Sequence, residues 1–150
     1  MKKIIILLLL VAVLVGGFLI YKNRSAGEKN VPNSDRTVTQ QKWEPKSDDQ
    51  AEVTVTVTPV DVSSQSSEWK FDVIISTHTV ELDQDMTKVA VLIDDLGREY
   101  GPISWEGDPA EGHHREGVLT FQQVTPSPKS IELKVSGIGG VVRSFTWQLK

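Results

Sequence analysis

From Val53 to Thr58 the chain reads VTVTVT, a strict alternation of β-branched apolar and polar residues. Successive side chains of an extended strand point to opposite faces, so this pattern demands a half-buried strand and rules out a helix. The run ends at Pro59, which lacks the N–H a ladder needs. The pattern recurs. Trp69, Phe71, Val73 and Ile75 share one face of a segment 69–77, while Lys70, Asp72 and Ser76 take the other. Near the C-terminus Phe145, Trp147 and Leu149 alternate with Ser144, Thr146 and Gln148. Between these lie further strand candidates at 88–93, 98–104, 118–124 and 130–136, with 142–149 closing the series. Turn residues separate them, among them Asp95-Leu96-Gly97, Gly107-Asp108-Pro109 and Pro126-Ser127-Pro128.

Seven short strands in about 100 residues, with no convincing helical period after residue 50, predict an all-β domain: a seven-stranded antiparallel sandwich of immunoglobulin-like or fibronectin-like architecture. Its core should hold Val55, Trp69, Phe71, Val73, Val91, Leu119, Phe121, Ile131, Leu133, Phe145 and Trp147. The 150-residue chain contains no cysteine. Disulfides, thiolate metal sites and a lipid-attachment cysteine are therefore excluded, and packing alone must hold the domain.

Upstream the texture differs. Met1-Lys2-Lys3 precedes 17 uncharged residues, Ile4 to Ile20, with Tyr21 at the end. As a helix these residues would span about 26 Å, near the lower limit for crossing a bilayer. A cleaved signal peptide is the rival reading, but the run exceeds the usual apolar length and lacks a small-x-small cleavage site before Lys22 and Arg24. Residues 1–21 are thus read as a transmembrane signal-anchor that contacts the membrane through residues 4–21. The short N-terminal tail stays in the cytoplasm, and the C-terminal part lies outside. Residues 22–50 are polar, charged and aperiodic, with only Val31, Val38 and Trp43 as sizeable hydrophobes, and read as a flexible linker. Trp43 reads as an exposed linker residue, with a docked contact as the alternative. The domain proper is placed at 51–150.

Charge is distributed unevenly. Residues 1–50 carry 5 acidic and 8 basic side chains, whereas residues 51–150 carry 15 acidic and 8 basic, a net −7. A net-negative domain argues against nucleic acid as partner, since phosphate binding needs clustered Lys and Arg. Catalytic motifs are missing: there is no G-x-S-x-G elbow, no H-E-x-x-H and no phosphate loop opening a helix. Gly137-Ile138-Gly139-Gly140 joins two strands and reads as a hairpin turn. The expectation is a binding or interaction module without catalytic activity.

One stretch stands apart. Glu81–Glu116 holds ten carboxylates against Lys88, Arg98 and Arg115, and all three histidines lie in or beside it: His78, His113 and His114. Imidazole with carboxylate suits Zn²⁺ or Cu²⁺, and a negative field attracts cations. The candidate metal ligands are His78, one of His113 and His114, and Asp83 or Asp85. His78 ends a strand, and the histidine pair is placed in a loop flanked by Gly112 and Gly117. The competing reading is a solvated, charge-rich set of loops. Asp83-Gln84-Asp85 lacks the glycine and the twelfth-position glutamate of a calcium loop. Trp105, in the loop 104–117, is a candidate partner-binding residue, with a place in the core as the alternative. An envelope protein is the partner class such a tethered sandwich would take, through edge strands or end loops.

Taken together, WKF at 69–71, THTVELD at 77–83, KVAVLIDD at 88–95, ISWEG at 103–107, GHHREGVLTF at 112–121 and SIELKV at 130–135 resemble a group of uncharacterised, membrane-tethered bacterial and archaeal domains. The resemblance covers nearly all of residues 51–150. It implies the domain boundary and a recurring pattern around the histidines, and it brings no established activity.

Overall fold

A computed structural model describes residues 42–149. The anchor read at 1–21 and the first part of the linker lie outside the described residues. Among the described residues no helix is long and apolar enough to cross a membrane. In chain order the elements are β1 (Lys46–Gln50), β2 (Val53–Asp61), β3 (Glu68–Thr77), a single helical turn α1 (Met86–Val89), β4 (Ala90–Asp94), β5 (Glu99–Tyr100), β6 (Ser104–Gly107), β7 (His114–Gln122), β8 (Ser130–Ser136), a 3-10 turn at Ile138–Gly140, and β9 (Val142–Gln148). Two antiparallel sheets result, one ordered β1-β2-β3-β7-β6 and the other β5-β4-β8-β9.

The alternations place the core as the pattern demands. Val53, Val55 and Val57 of β2, and Trp69, Phe71, Val73 and Ile75 of β3, are fully buried. They join Leu119 and Phe121 of β7, Leu133 and Val135 of β8, and Phe145 and Trp147 of β9 in one hydrophobic cluster fed by both sheets. Phe71 is its aromatic centre, edge-on to Phe121 at 5.6 Å and tilted against Trp147 at 5.9 Å.

Several expectations need correction. The described residues form nine strands where seven were expected. β1 lies inside the stretch read as linker, and Trp43 packs against the core. β1 is invisible to periodicity because its residues KSDDQ are polar on both faces. It is held by its ladder to β2, from Lys46↔Val57 to Gln50↔Val53. β2 continues through Pro59, because β1 reaches back only to Val57 and leaves the strand unpaired on that side. The segment 98–104 splits between the sheets, β5 joining β4 and β6 joining β7, and the chain crosses over at Gly101-Pro102. In place of a strand beginning at Lys88 there is α1, capped by Asp85, and β4 starts at Ala90. Val91 is half-buried, and Ala90, Leu92 and Asp94 point inward instead. Within the apolar run Ala90-Val91-Leu92-Ile93 no polar residue marks which face is which.

Candidate functional site

The outer face of the five-stranded sheet carries a polar row built by register alone. Asp49 of β1 lies opposite Thr54 of β2, Thr54 opposite Ser76 of β3, and Ser76 opposite His114 of β7. Neighbours in the row bond laterally: Thr54 donates its hydroxyl to Asp49 at 3.3 Å, and Ser76 Oγ lies 3.0 Å from His114 Nδ1. Around it opens a groove of about 420 Å³, lined among others by Asp49, Glu52, Thr54, Ser76, His78 and Thr79.

The floor of the groove is stitched to an unusual hairpin. β1 and β2 are joined by Ala51-Glu52, and both residues have positive φ, 50° and 61°. That is the type I′ pattern, normally filled by Asn and Gly. Two left-handed non-glycine residues cost of order 1–3 kcal/mol each, so the surroundings must hold them. Thr77 Oγ1 donates to the Glu52 carbonyl and Thr79 Oγ1 to its carboxylate, each at 2.7 Å. From beneath, Arg143 reaches across the core. It is fully buried and donates to Gln50 O at 2.6 Å, Val53 O at 3.2 Å and Ile138 O at 2.6 Å. Its Nε lies 3.1 Å from Asp48 Oδ1, an ion-pair distance without the alignment of a hydrogen bond.

The sequence-derived candidates are dispersed by this geometry. His78 lines the groove. His114 opens β7 instead of sitting in a loop, because the ladder extends as Thr77 N donates to His113 O at 2.9 Å. His113 faces Glu81 at 3.7 Å, and His114 Nε2 is 3.9 Å from Glu116; all four side chains are exposed. Asp85 is committed elsewhere, accepting from Thr87 N at 3.0 Å and pairing with Lys88 at 3.1 Å. Asp83 accepts from the side chain of Gln84. Among the described residues no three His, Cys, Asp or Glu side chains are grouped to hold a metal ion.

Part of the acidic stretch's field falls on a cation of its own. Arg115 is buried, donating to Gln84 O at 2.8 Å, Leu82 O at 3.2 Å and Asp108 O at 3.3 Å. Burial pulls its guanidinium below the ordinary value, and the carboxylates of Asp108, Asp85 and Asp83 oppose that pull. Trp105 lies under this cation, 5.6 Å from guanidinium to ring, and its indole N–H donates to Asp108 O at 2.9 Å. The ring is half-buried and packs against the core, so it is engaged internally. Gly117 makes room for it: a Cβ there would lie 2.7 Å from the ring.

Ser76, His114 and Glu116 stand in the order of a nucleophile, a base and an orienting acid. The geometry does not complete that assembly. Glu116 is beyond hydrogen-bond reach of the imidazole. The backbone N–H groups of Thr77, Thr79 and Val80 are all engaged, by His113 O and Thr77 Oγ1, and are not available to an oxyanion. What the row offers is a line of donors and acceptors beside an open groove. Sequence reasoning missed Asp49, Glu52 and Ser76 because strand register brings them toward the histidines, as where Ser76 meets His114 across 38 positions.

No family model matches the chain, and no curated protein matches it. A solved structure of a secreted protein from Mycobacterium tuberculosis, MPT63, is similar over 71% of this chain and 92% of its own length. The identity is 11% and the TM-score 0.41. A likeness that weak assigns neither family nor function.

Proposed function

We propose that this domain is a binding and interaction module without catalytic activity, displayed outside the cytoplasm on the anchor read at residues 1–21, with the groove beside the Asp49–Thr54–Ser76–His114 row as its ligand surface. The row carries the reading, because it sets a carboxylate, two hydroxyls and an imidazole side by side on one sheet face. An immunoglobulin-like architecture is part of the proposal. The orders β2-β3-β7-β6 and β5-β4-β8-β9 correspond to strands A-B-E-D and C′-C-F-G of that fold, with β1 added before the first. Such sandwiches serve as scaffolds for recognition, and their function lies in the surface they carry.

The test is site-specific photo-crosslinking of the full chain in intact cells, with the reactive group at Thr54 or, for comparison, at Lys134 on the other sheet. A discrete adduct from position 54 alone supports the groove. Equal labelling at both positions, or none, would remove it. Zn²⁺ or Cu²⁺ capture is the second reading, favoured by His78 sharing the groove with Asp49 and Glu52. Calorimetric titration of either ion, beside a His78→Ala/His113→Ala/His114→Ala variant, decides it: saturable heat lost in the variant supports capture, and equal heats dismiss it.

A further inference from the structure

Open sheets end in strands whose outer backbone groups lack partners, and proteins blunt such edges with charge, proline, bulges or brevity. Four strands end the two sheets here. β1 carries Lys46, Asp48 and Asp49, β5 has two residues, and β6 has four, including Glu106. β9 is different. It has seven residues, pairs with β8 in unbroken register, and contains no proline. Its one charged residue, Arg143, points inward. The outward side chains Val142, Ser144, Thr146 and Gln148 are uncharged, and Val142 is 60% exposed.

Backbone parity agrees. Gly137 N donates to Val141 O, and Leu149 N to Lys129 O, so odd-numbered residues along β9 face β8. The even-numbered residues therefore turn their N–H and C=O groups to the open side, where no described strand pairs with them.

We infer that β9 is a self-association edge, where a second copy of this chain adds antiparallel about a two-fold axis at Phe145. Val142 then faces Gln148 and Ser144 faces Thr146. The even-numbered residues opposite one another in this register present their backbone groups to each other. Four such pairs exchange on the order of eight hydrogen bonds, two per pair. The hydroxyl pairs meet across the junction without like charges in opposition. Two carboxylates lie beside this edge, Asp48 of β1 and Glu132 of β8, and each is paired with a cation, Arg143 at 3.1 Å and Lys134 at 3.7 Å. Asp94, Asp95 and Glu99 belong to β4, β5 and their turn, at the far side of the four-stranded sheet from β9. Two acidic copies thus meet away from those carboxylates.

Sedimentation of the detergent-solubilised full chain at micromolar concentration tests this. The wild type should run as a dimer. Ser144→Lys/Thr146→Lys should run as a monomer with the melting temperature of wild type diluted until it too is monomeric, and so should Ser144→Glu/Thr146→Glu. Mixing the two should restore a heterodimer, since Lys then faces Glu at both positions. A gentler pair guards against misfolding. Ser144→Cys and Thr146→Cys chains, each otherwise free of cysteine, should form a disulfide with one another on oxidation and far less with themselves. A monomeric wild type, a dimer that survives the lysines, or charge variants that ignore each other would overturn the inference.

Discussion

Arg143 and Arg115 are buried cations satisfied chiefly by carbonyl oxygens, and each ties a strand of its own to distant backbone. Replacing Arg143 with Met keeps the volume and strands the carbonyls of Gln50, Val53 and Ile138. Unpaired buried acceptors cost about 1–3 kcal/mol each, some of it recovered by water, so a loss of roughly 2–4 kcal/mol is expected in urea unfolding. Asp94 gives the pH dependence. Burial alone would push its carboxyl up, but Arg98 N, the Arg98 guanidinium, Leu96 N and Tyr100 Oη all donate to it and bring it down to about 2, from 3.8 when unfolded. A depressed carboxyl stabilises fully above its unfolded value and loses that contribution as pH falls through the folded one. Acid titration of wild type should therefore show stability falling between about pH 4 and pH 2. Asp94→Asn should be weaker at neutral pH and flatter across that window. At Gly117 a methyl would lie 2.6 Å from Gly107 Cα and 2.7 Å from Glu106 O, atoms that cannot swing aside. Gly117→Ala should cost about 1–3 kcal/mol by overpacking and alter Trp105 fluorescence, because ring and backbone must separate.

At the scale of elements, the β1–β2 hairpin holds a conformation its own turn residues disfavour. Ala51→Asn/Glu52→Gly supplies the residues a type I′ turn prefers. It should stabilise the domain by about 1 kcal/mol in thermal unfolding, even with the Glu52–Thr79 bond removed. A loss instead would show that this bond and not the turn governs the hairpin. The same element shows what the sequence reveals and what it hides. β2, β3, β8 and β9 are legible because one face is apolar and the other polar. β1 is not, since neither of its faces is buried and its stability comes from backbone pairing and from Asp48 meeting Arg143. α1 escapes a periodicity argument because one turn has no period; only its Asp85 cap and Lys88 mark it. The histidines were legible as a cluster in sequence. Their neighbours in space were not, because Ser76 and Asp49 reach them through register across three ladders.

For the molecule as a whole, the ordered domain begins before residue 51. Trp43 packs on the core, Glu44 O accepts from the Trp147 indole at 3.1 Å, and β1 meets Arg143. A chain starting at residue 51 should lose about 3 kcal/mol or more against one starting at 42, by urea denaturation, because both buried donors lose acceptors and the hairpin loses a strand. These ties join residues about a hundred positions apart, and they impose an order of events. Until β9 has formed, Arg143 and Trp147 are not in place to grip the first strand. A chain made or delivered from its amino end would thus hold an unfinished hairpin until β9 arrives. Folding is then expected to be slow and nearly all-or-none, with closure of the two ends as its final step.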